Sequence, residues 1–311
     1  MGTPEFAVPS LERLVEGGYA PVAVVTGPDK VRGRGRNVSP TPVKEAAVRL
    51  GIETVLQPES VKDSAFAEAV AALEPDVIVV VAFKILPEAV YTQARLGAFN
   101  LHGSLLPRYR GAAPINRAVM AGETETGVTT FFLKKKVDTG AMILQWSMPI
   151  GPDETAGEVH DRMMMLGADA VLETVRRIDA GPVETQTQDD SLATPAPKIF
   201  PDDCRIPWDQ PAEAVHNHIR GLSPYPGAWT HHNQTHHNQT HHGEMLLKLY
   251  RTRRATGSGT PGAVIEAGSR LLVACGEGAV EVVELQQQGR RRMDAAAFLN
   301  GYDLPVGTRL V

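Results

Sequence analysis

The sequence is poor in cysteine. It has two in 311 residues, Cys204 and Cys275, far apart and in neither a CxxC nor a Cys/His spacing. That excludes a disulfide-stapled scaffold and a structural zinc set, and it points to a reducing compartment. There is no run of about 18 apolar residues, so no transmembrane helix and no membrane partner are expected. No basic-then-apolar leader precedes the first helical pattern, which makes a soluble, cytoplasmic protein the default expectation. Positive charge is not in excess either: 31 Lys and Arg stand against 36 Asp and Glu, a formal net charge of −5. Any binding of nucleic acid must therefore use local patches. What is present is a globular composition, 42% hydrophobic and 22% charged. At roughly 150 residues per domain the length suggests about two domains.

Residues 1–185 alternate strand and helix patterns. "YAPVAVVTGPD" reads as a strand, and "TPVKEAAVRLG" as a helix with Thr41 at its N-cap, Pro42 in its first position and Gly51 closing it. "IETVLQP" is a short strand and "SAFAEAVAALEP" a helix stopped by Pro75. "DVIVVVAF" is continuously apolar, as a strand buried on both faces should be. "LGAFNLHGS" is a further strand, "TGVTTFFL" and "AMILQWSMPI" look antiparallel or edge-like, and a long helix follows. This alternation predicts an α/β fold with a doubly wound, mostly parallel sheet. Residues 186–202 are polar and Pro-rich and read as a linker. Residues 203–311 hold one helix and a series of short strands, suited to a small β-barrel. Net charge is −6 over residues 1–202 and +1 over 203–311, so the second domain repels a polyanion less.

Two features are unusual. The chain opens with "MGTPEFAVPSLERLV", which reads as the loop and helix that follow a strand. The expectation is a start assigned too late, with strand-forming residues upstream. The apolar strand at 76–83 needs partners on both sides, and we expect segment 20–26 on one side and a strand leading into Gly2 on the other. The second feature is "THHNQTHHNQTHH" at 230–242, which contains six of the ten histidines. Its five-residue period fits neither helix nor strand, and no carboxylate or cysteine completes a metal set, so it reads as an expansion in a surface hairpin.

The stretch "FNLHGSLLPRYRGAAPINRAVMAGETETGVT" carries the chemistry. Asn100 and His102, two apart on a strand, point to the same face. They lie at the strand's carboxyl end, where open α/β sheets place ligands. An amide donor beside an imidazole suits oxyanion stabilisation and proton movement. Asp138, in the Gly-flanked "VDTGAM", could orient His102. The residues alone suggest acyl transfer or hydrolysis without a covalent nucleophile, since Ser104 lacks a G-x-S-x-G setting.

This stretch together with "VDTG" resembles the signature of the N10-formyltetrahydrofolate-dependent formyltransferases. "GTPEFAVPSLERL", "GRGRNVSPTPVKEAA", "KIFPDDCRIPWD" and "IRGLSPYPGAWT" are similar to the tRNA-directed members, and the likeness runs over nearly the whole chain. It implies a Rossmann-like formyltransferase domain lacking its first strand, followed by an OB-like β-barrel. It implies transfer of a formyl group from 10-formyltetrahydrofolate, the co-substrate, to the α-amino group of methionine on initiator methionyl-tRNA, in translation initiation. It needs no metal, and the protein is expected to be a monomer. Asn100, His102 and Asp138 would be catalytic. Ile85, Leu86, Pro87, Ser104, Leu105, Leu106 and Pro107 would shape the folate and carbonyl pocket. Arg32, Arg34 and Arg36, in a Gly-rich loop, would meet the acceptor end of the tRNA. Lys248, Arg251, Arg253, Arg254 and the Arg290, Arg291, Arg292 run would meet its phosphates. A sugar-nucleotide formyltransferase, a hydrolase of the same folate, and a tRNA-binding protein without catalysis are the alternatives; the first would need neither the arginine loop nor the barrel.

Overall fold

A computed structural model describes residues 1–32, 37–233 and 244–311, with side chains described outside 31–38 and 233–244. The chain packs as two compact units. The first comprises Met1–Pro114, Glu125–Pro149 and His160–Pro197; the second comprises Ile115–Thr124, Ile150–Val159 and Lys198–Val311. The Pro-rich stretch at 186–202 is shared between them. Residues 186–197 join the first unit, where Gln186 bridges Met142 and Pro195–Ala196 pairs with Arg110–Gly111.

The first unit begins with α1 (Val8–Glu16), which buries Leu11 and Leu14. β1 (Val24–Val25) follows, then an antiparallel ribbon of β2 (Lys30–Arg32) and β3 (Asn37–Ser39). α2 (Pro42–Arg49) starts as the sequence predicts. Thr41 Oγ1 accepts from the Lys44 N–H at 3.2 Å, and Gly51, at φ 73°, turns the chain out of the helix. β4 (Val55–Leu56), α3 (Ser64–Ala71), β5 (Ile78–Val81), α4 (Glu88–Tyr91) and β6 (Ala98–His102) continue the alternation. Then come β7 (Arg110–Gly111), α5 (Pro114–Met120), β8 (Glu125–Phe132), β9 (Met142–Pro149), α6 (Ala156–Asp179) and β10 (Pro195–Ala196). β1 pairs with β4, and β5 with β6, in parallel; β8 joins β6, and β9 joins β8, antiparallel. The sheet is therefore mixed rather than mostly parallel, because β8 returns antiparallel to β6 after α5, and β9 follows β8 as a hairpin.

Both neighbours expected on opposite sides of the 76–83 strand fall on the same side. The other side is taken by β6, which the short α4 crossover brings back alongside β5. Between β1 and β5 runs the backbone of Met1 and Gly2. The Met1 ammonium donates to Val79 O at 2.7 Å, Val81 N–H donates to Met1 O at 2.9 Å, and Gly2 N–H donates to Val25 O at 2.9 Å. Gly2 is required there, since a Cβ would come within 2.6 Å of Ala7 Cβ and 2.8 Å of Val81 O. Beyond Met1 the same slot continues as an apolar cavity of about 140 Å3, walled by Val24, Val25, Val77 and Val79 among others.

The second unit is built on a six-stranded antiparallel sheet. Its strands are β11 (Ala228–Asn233), β12 (Glu244–Ala255), β13 (Val264–Ala267), β14 (Leu271–Ala274), β15 (Ala279–Gln287) and β16 (Met293–Asp294), in the order β11-β12-β15-β14-β13 with β16 on β15. α7 (Ala212–Gly221) lays Val215 and Ile219 onto the sheet's Leu247, Leu249, Val280 and Leu285. The unit ends with α8 (Ala295–Gly301), whose Phe298 joins the same core.

Candidate active site

β6 fixes the first two functional side chains. Its pairing with β5 on one edge and β8 on the other locks register, so Asn100 and His102 emerge on one face at the strand's carboxyl end. His102 is buried. Its Nε2 donates to the carbonyl of Tyr109 at 2.8 Å, which leaves Nδ1 facing Asp138 Oδ2 at 3.9 Å. Asn100 is half-buried, and its side-chain amide has no hydrogen-bond partner among the described residues.

Asp138 is also buried and sits in the β8–β9 connection at φ 55°, in the left-handed region. Its Oδ2 accepts from the Gly111 N–H at 2.9 Å. Tyr109, whose carbonyl holds the imidazole, is at φ 59°. A non-glycine residue held there costs on the order of 1–3 kcal/mol, so the surroundings must enforce it at both positions. Gln188 does much of this. Its Nε2 donates to the carbonyls of Asp138 (3.0 Å) and Gly140 (2.8 Å), while its Oε1 accepts from Arg110 Nε and Nη2. Arg110 also bonds Asp190 at 2.7 Å, and that hydrogen bond holds the Asp190 carboxyl below its ordinary range. Thr194 Oγ1 accepts from the Tyr109 N–H at 2.8 Å.

The Ser-Leu-Leu-Pro loop is tied into this frame. Ser104 is buried and its hydroxyl donates to Arg108 O at 2.6 Å, so it is committed to the loop. Thr129 Oγ1 donates to Ser104 O and accepts from the Leu106 N–H; Gln145 Nε2 donates to Leu106 O at 2.9 Å. Leu106 packs on Phe131 and Met142, while Leu105 and Pro107 are half-buried. Ile85 is 72% exposed, Pro87 is half-buried and Leu86 is packed with Val61, Phe66 and Val90. Of that trio, then, Leu86 serves the core. Lys134, Lys135 and Lys136, ahead of Asp138, are exposed.

A family model described as formyl transferase matches residues 1–175, and one described as formyl transferase, C-terminal domain, matches residues 198–303. The chain belongs to the formyl transferase family. A methionyl-tRNA formyltransferase from Chlorobium phaeovibrioides is 49% identical over 315 residues, covering 99% of this chain and 95% of the relative. Those from Porphyromonas gingivalis and Pelobacter propionicus are each 46% identical over 312 residues, covering 98% and 100% of this chain and 95% and 94% of theirs. Among solved structures, the sugar 3N-formyl transferase WlaRD, determined in the presence of dTDP and 5-N-formyl-THF, superposes with a TM-score of 0.65 at 16% identity, covering 93% of this chain and 97% of that one. HypX from Aquifex aeolicus, in complex with tetrahydrofolic acid, gives 0.59 at 18%, covering 85% and 47%. At those identities the likeness is one of fold.

Arg34 and Arg36 lie outside the described residues, as do the Arg32 side chain and most of the histidine repeat. In the second unit the basic residues divide. Lys248 Nζ donates to Pro226 O at 2.8 Å, Arg251 pairs with Glu158, Arg254 with Glu213 at 3.4 Å, and Arg292 stacks on Tyr250 at 3.7 Å. Arg253, Arg290 and Arg291 are exposed, with no acidic partner within 4.0 Å among the described residues. Sequence reasoning missed Arg110, Gln188 and the backbone groups of Tyr109 and Gly111. Gln188 sits in the stretch read as a linker, where residue type gives no signal of its role.

Proposed function

We infer that this formyltransferase carries a formyl group from 10-formyltetrahydrofolate to the α-amino group of methionine on initiator methionyl-tRNA, through Asn100, His102 and Asp138. The observation that carries the reading is the unpartnered Asn100 amide beside a buried His102 that has a carboxylate on one side and a carbonyl on the other. An open donor at a strand's carboxyl end suits an oxyanion. The folate co-substrate supplies the formyl group, and the half-buried Leu105 and Pro107 are placed to flank it. As the amine attacks, Asn100 Nδ2 donates to the carbonyl oxygen gaining charge. His102, with Asp138 beside it, faces the reacting centre, and a proton passes from the attacking amine to N10 of the folate as the bond from N10 to the formyl carbon breaks. Each such contribution is worth about 10²–10⁴-fold in typical enzymes. The full-length relatives at 46–49% identity support the tRNA substrate, as do the unpaired Arg253, Arg290 and Arg291. Single-turnover formyl transfer to charged initiator tRNA tests the reading. His102→Ala, Asp138→Asn and Asn100→Ala should each lose at least about 10²-fold with the fold intact. A near-native rate for His102→Ala would remove it.

A further inference from the structure

The second unit holds a cavity of about 140 Å3, lined by Arg220, Arg251, Arg253, Asp153, Thr155 and Thr252, with Val283 as its apolar wall. That is several times the room one water needs. Arg220, on α7, is only 4% exposed. Its Nε donates to Asn217 Oδ1 at 2.7 Å, and its Nη1 donates to the carbonyls of Glu154 (2.9 Å) and Gly151 (3.3 Å). Among the described residues no carboxylate lies within 4.0 Å of it, and Nη2 has no acceptor. A buried guanidinium that donates only to neutral acceptors, with Asp153, Glu154 and Glu213 acting on its charge without contact, is a costly state that an entering anion relieves.

The other groups set the sign of the cavity. Arg253 is exposed and lacks an acidic partner among the described residues. Arg251 is offset by Glu158 and, at 4.0 Å, by Glu284. Asp153 is the one lining carboxylate, and its Oδ1 is 3.3 Å from His216 Nε2. The Thr155 hydroxyl is committed to Glu158 and the Thr252 hydroxyl to His216 Nδ1, so the side-chain donors left for a ligand are guanidinium N–H groups. Planar guanidinium forks match the oxygens of a phosphate, and an anion with several oxygens can meet Arg220 at the floor and Arg253 at the rim together.

We propose that this cavity is a phosphate subsite, in which Arg220 and Arg253 clasp one backbone phosphate of the nucleic-acid substrate. The proposal rests on the tRNA reading above. Its test does not need formyl transfer, so an inactive enzyme would count against that reading and leave this one standing. Inorganic phosphate is titrated calorimetrically into the full-length protein at constant ionic strength. One site should appear in the wild type, and Arg253→Gln should weaken it at least about fivefold. Arg270→Gln, the same charge change at the exposed Glu266 pair, should leave it unaltered. Arg220→Lys should abolish binding; if that variant fails to fold, Arg253→Gln decides. Saturating uncharged initiator tRNA should suppress the phosphate signal. Absence of wild-type binding, or equal binding by Arg253→Gln, overturns the subsite. Phosphate binding that persists with tRNA bound overturns the assignment to nucleic acid.

Discussion

Acetylating the α-amino group of Met1 should remove a large pH dependence from the stability of the polypeptide that starts there. The ammonium is enclosed between β1 and β5, with the Val79 carbonyl at 2.7 Å and an apolar cavity beyond. Desolvation lowers its pKa from 8.0 to about 5. Between those values the unfolded chain holds the proton and the folded one does not. Unfolding then takes up a proton, and stability rises with pH by about 1.4 kcal/mol per unit. The contribution is complete above pH 8 and lost below pH 5, a span of about 4 kcal/mol. That is a sizeable part of a total of roughly 5–15 kcal/mol. His216 and His218, lowered chiefly by desolvation, add slope of the same sign. Both are shared by the two forms and cancel in the difference. An acetylated Met1 keeps an N–H for Val79 O, so the bond survives and only the charge goes. Urea unfolding followed by circular dichroism from pH 5 to 8 measures it. Between pH 8 and pH 5 the free-amine form should lose about 4 kcal/mol more than the acetylated form. Parallel curves for the two forms would refute an enclosed ammonium.

Three further outcomes follow from the first unit and its basic loop. Gln188→Glu keeps an acceptor for Arg110 but loses the two donors to the Asp138 and Gly140 carbonyls. It should lower kcat on the order of tenfold with KM for tRNA little changed, and steady-state kinetics separates the two. In Gly140→Ala the new Cβ would overlap the Phe132 carbonyl oxygen, so the Asp138 loop must shift. A loss of about 1–3 kcal/mol in chemical denaturation, with reduced kcat, is expected. Arg34→Ala should weaken discrimination between tRNAs with unpaired and paired first bases and leave the KM for formyl-folate alone; an unchanged preference would make the loop a non-specific charge.

What the sequence made legible, and what it hid, follows from the range of the interactions. The Asn100–His102 pair is a two-residue spacing on a strand, and the α2 cap is a three-residue one; local geometry of that kind is written in residue type and order. The groups that hold His102 and Asp138 in place are not. Tyr109 offers a carbonyl, Gly111 an N–H, and Gln188 an amide from 50 residues beyond Asp138. Any residue has a backbone, so nothing in the letters marks these two. The same limit applies to Arg220. On α7 it reads as the polar side of an amphipathic helix, and only the loop at 151–154 folding over it turns a solvated charge into a buried one. The two cases share a cause. Where a side chain's role is set by the backbone closing around it, the sequence gives the side chain and the fold gives the role. The residues least readable in advance are therefore those whose substitution should separate positioning from chemistry.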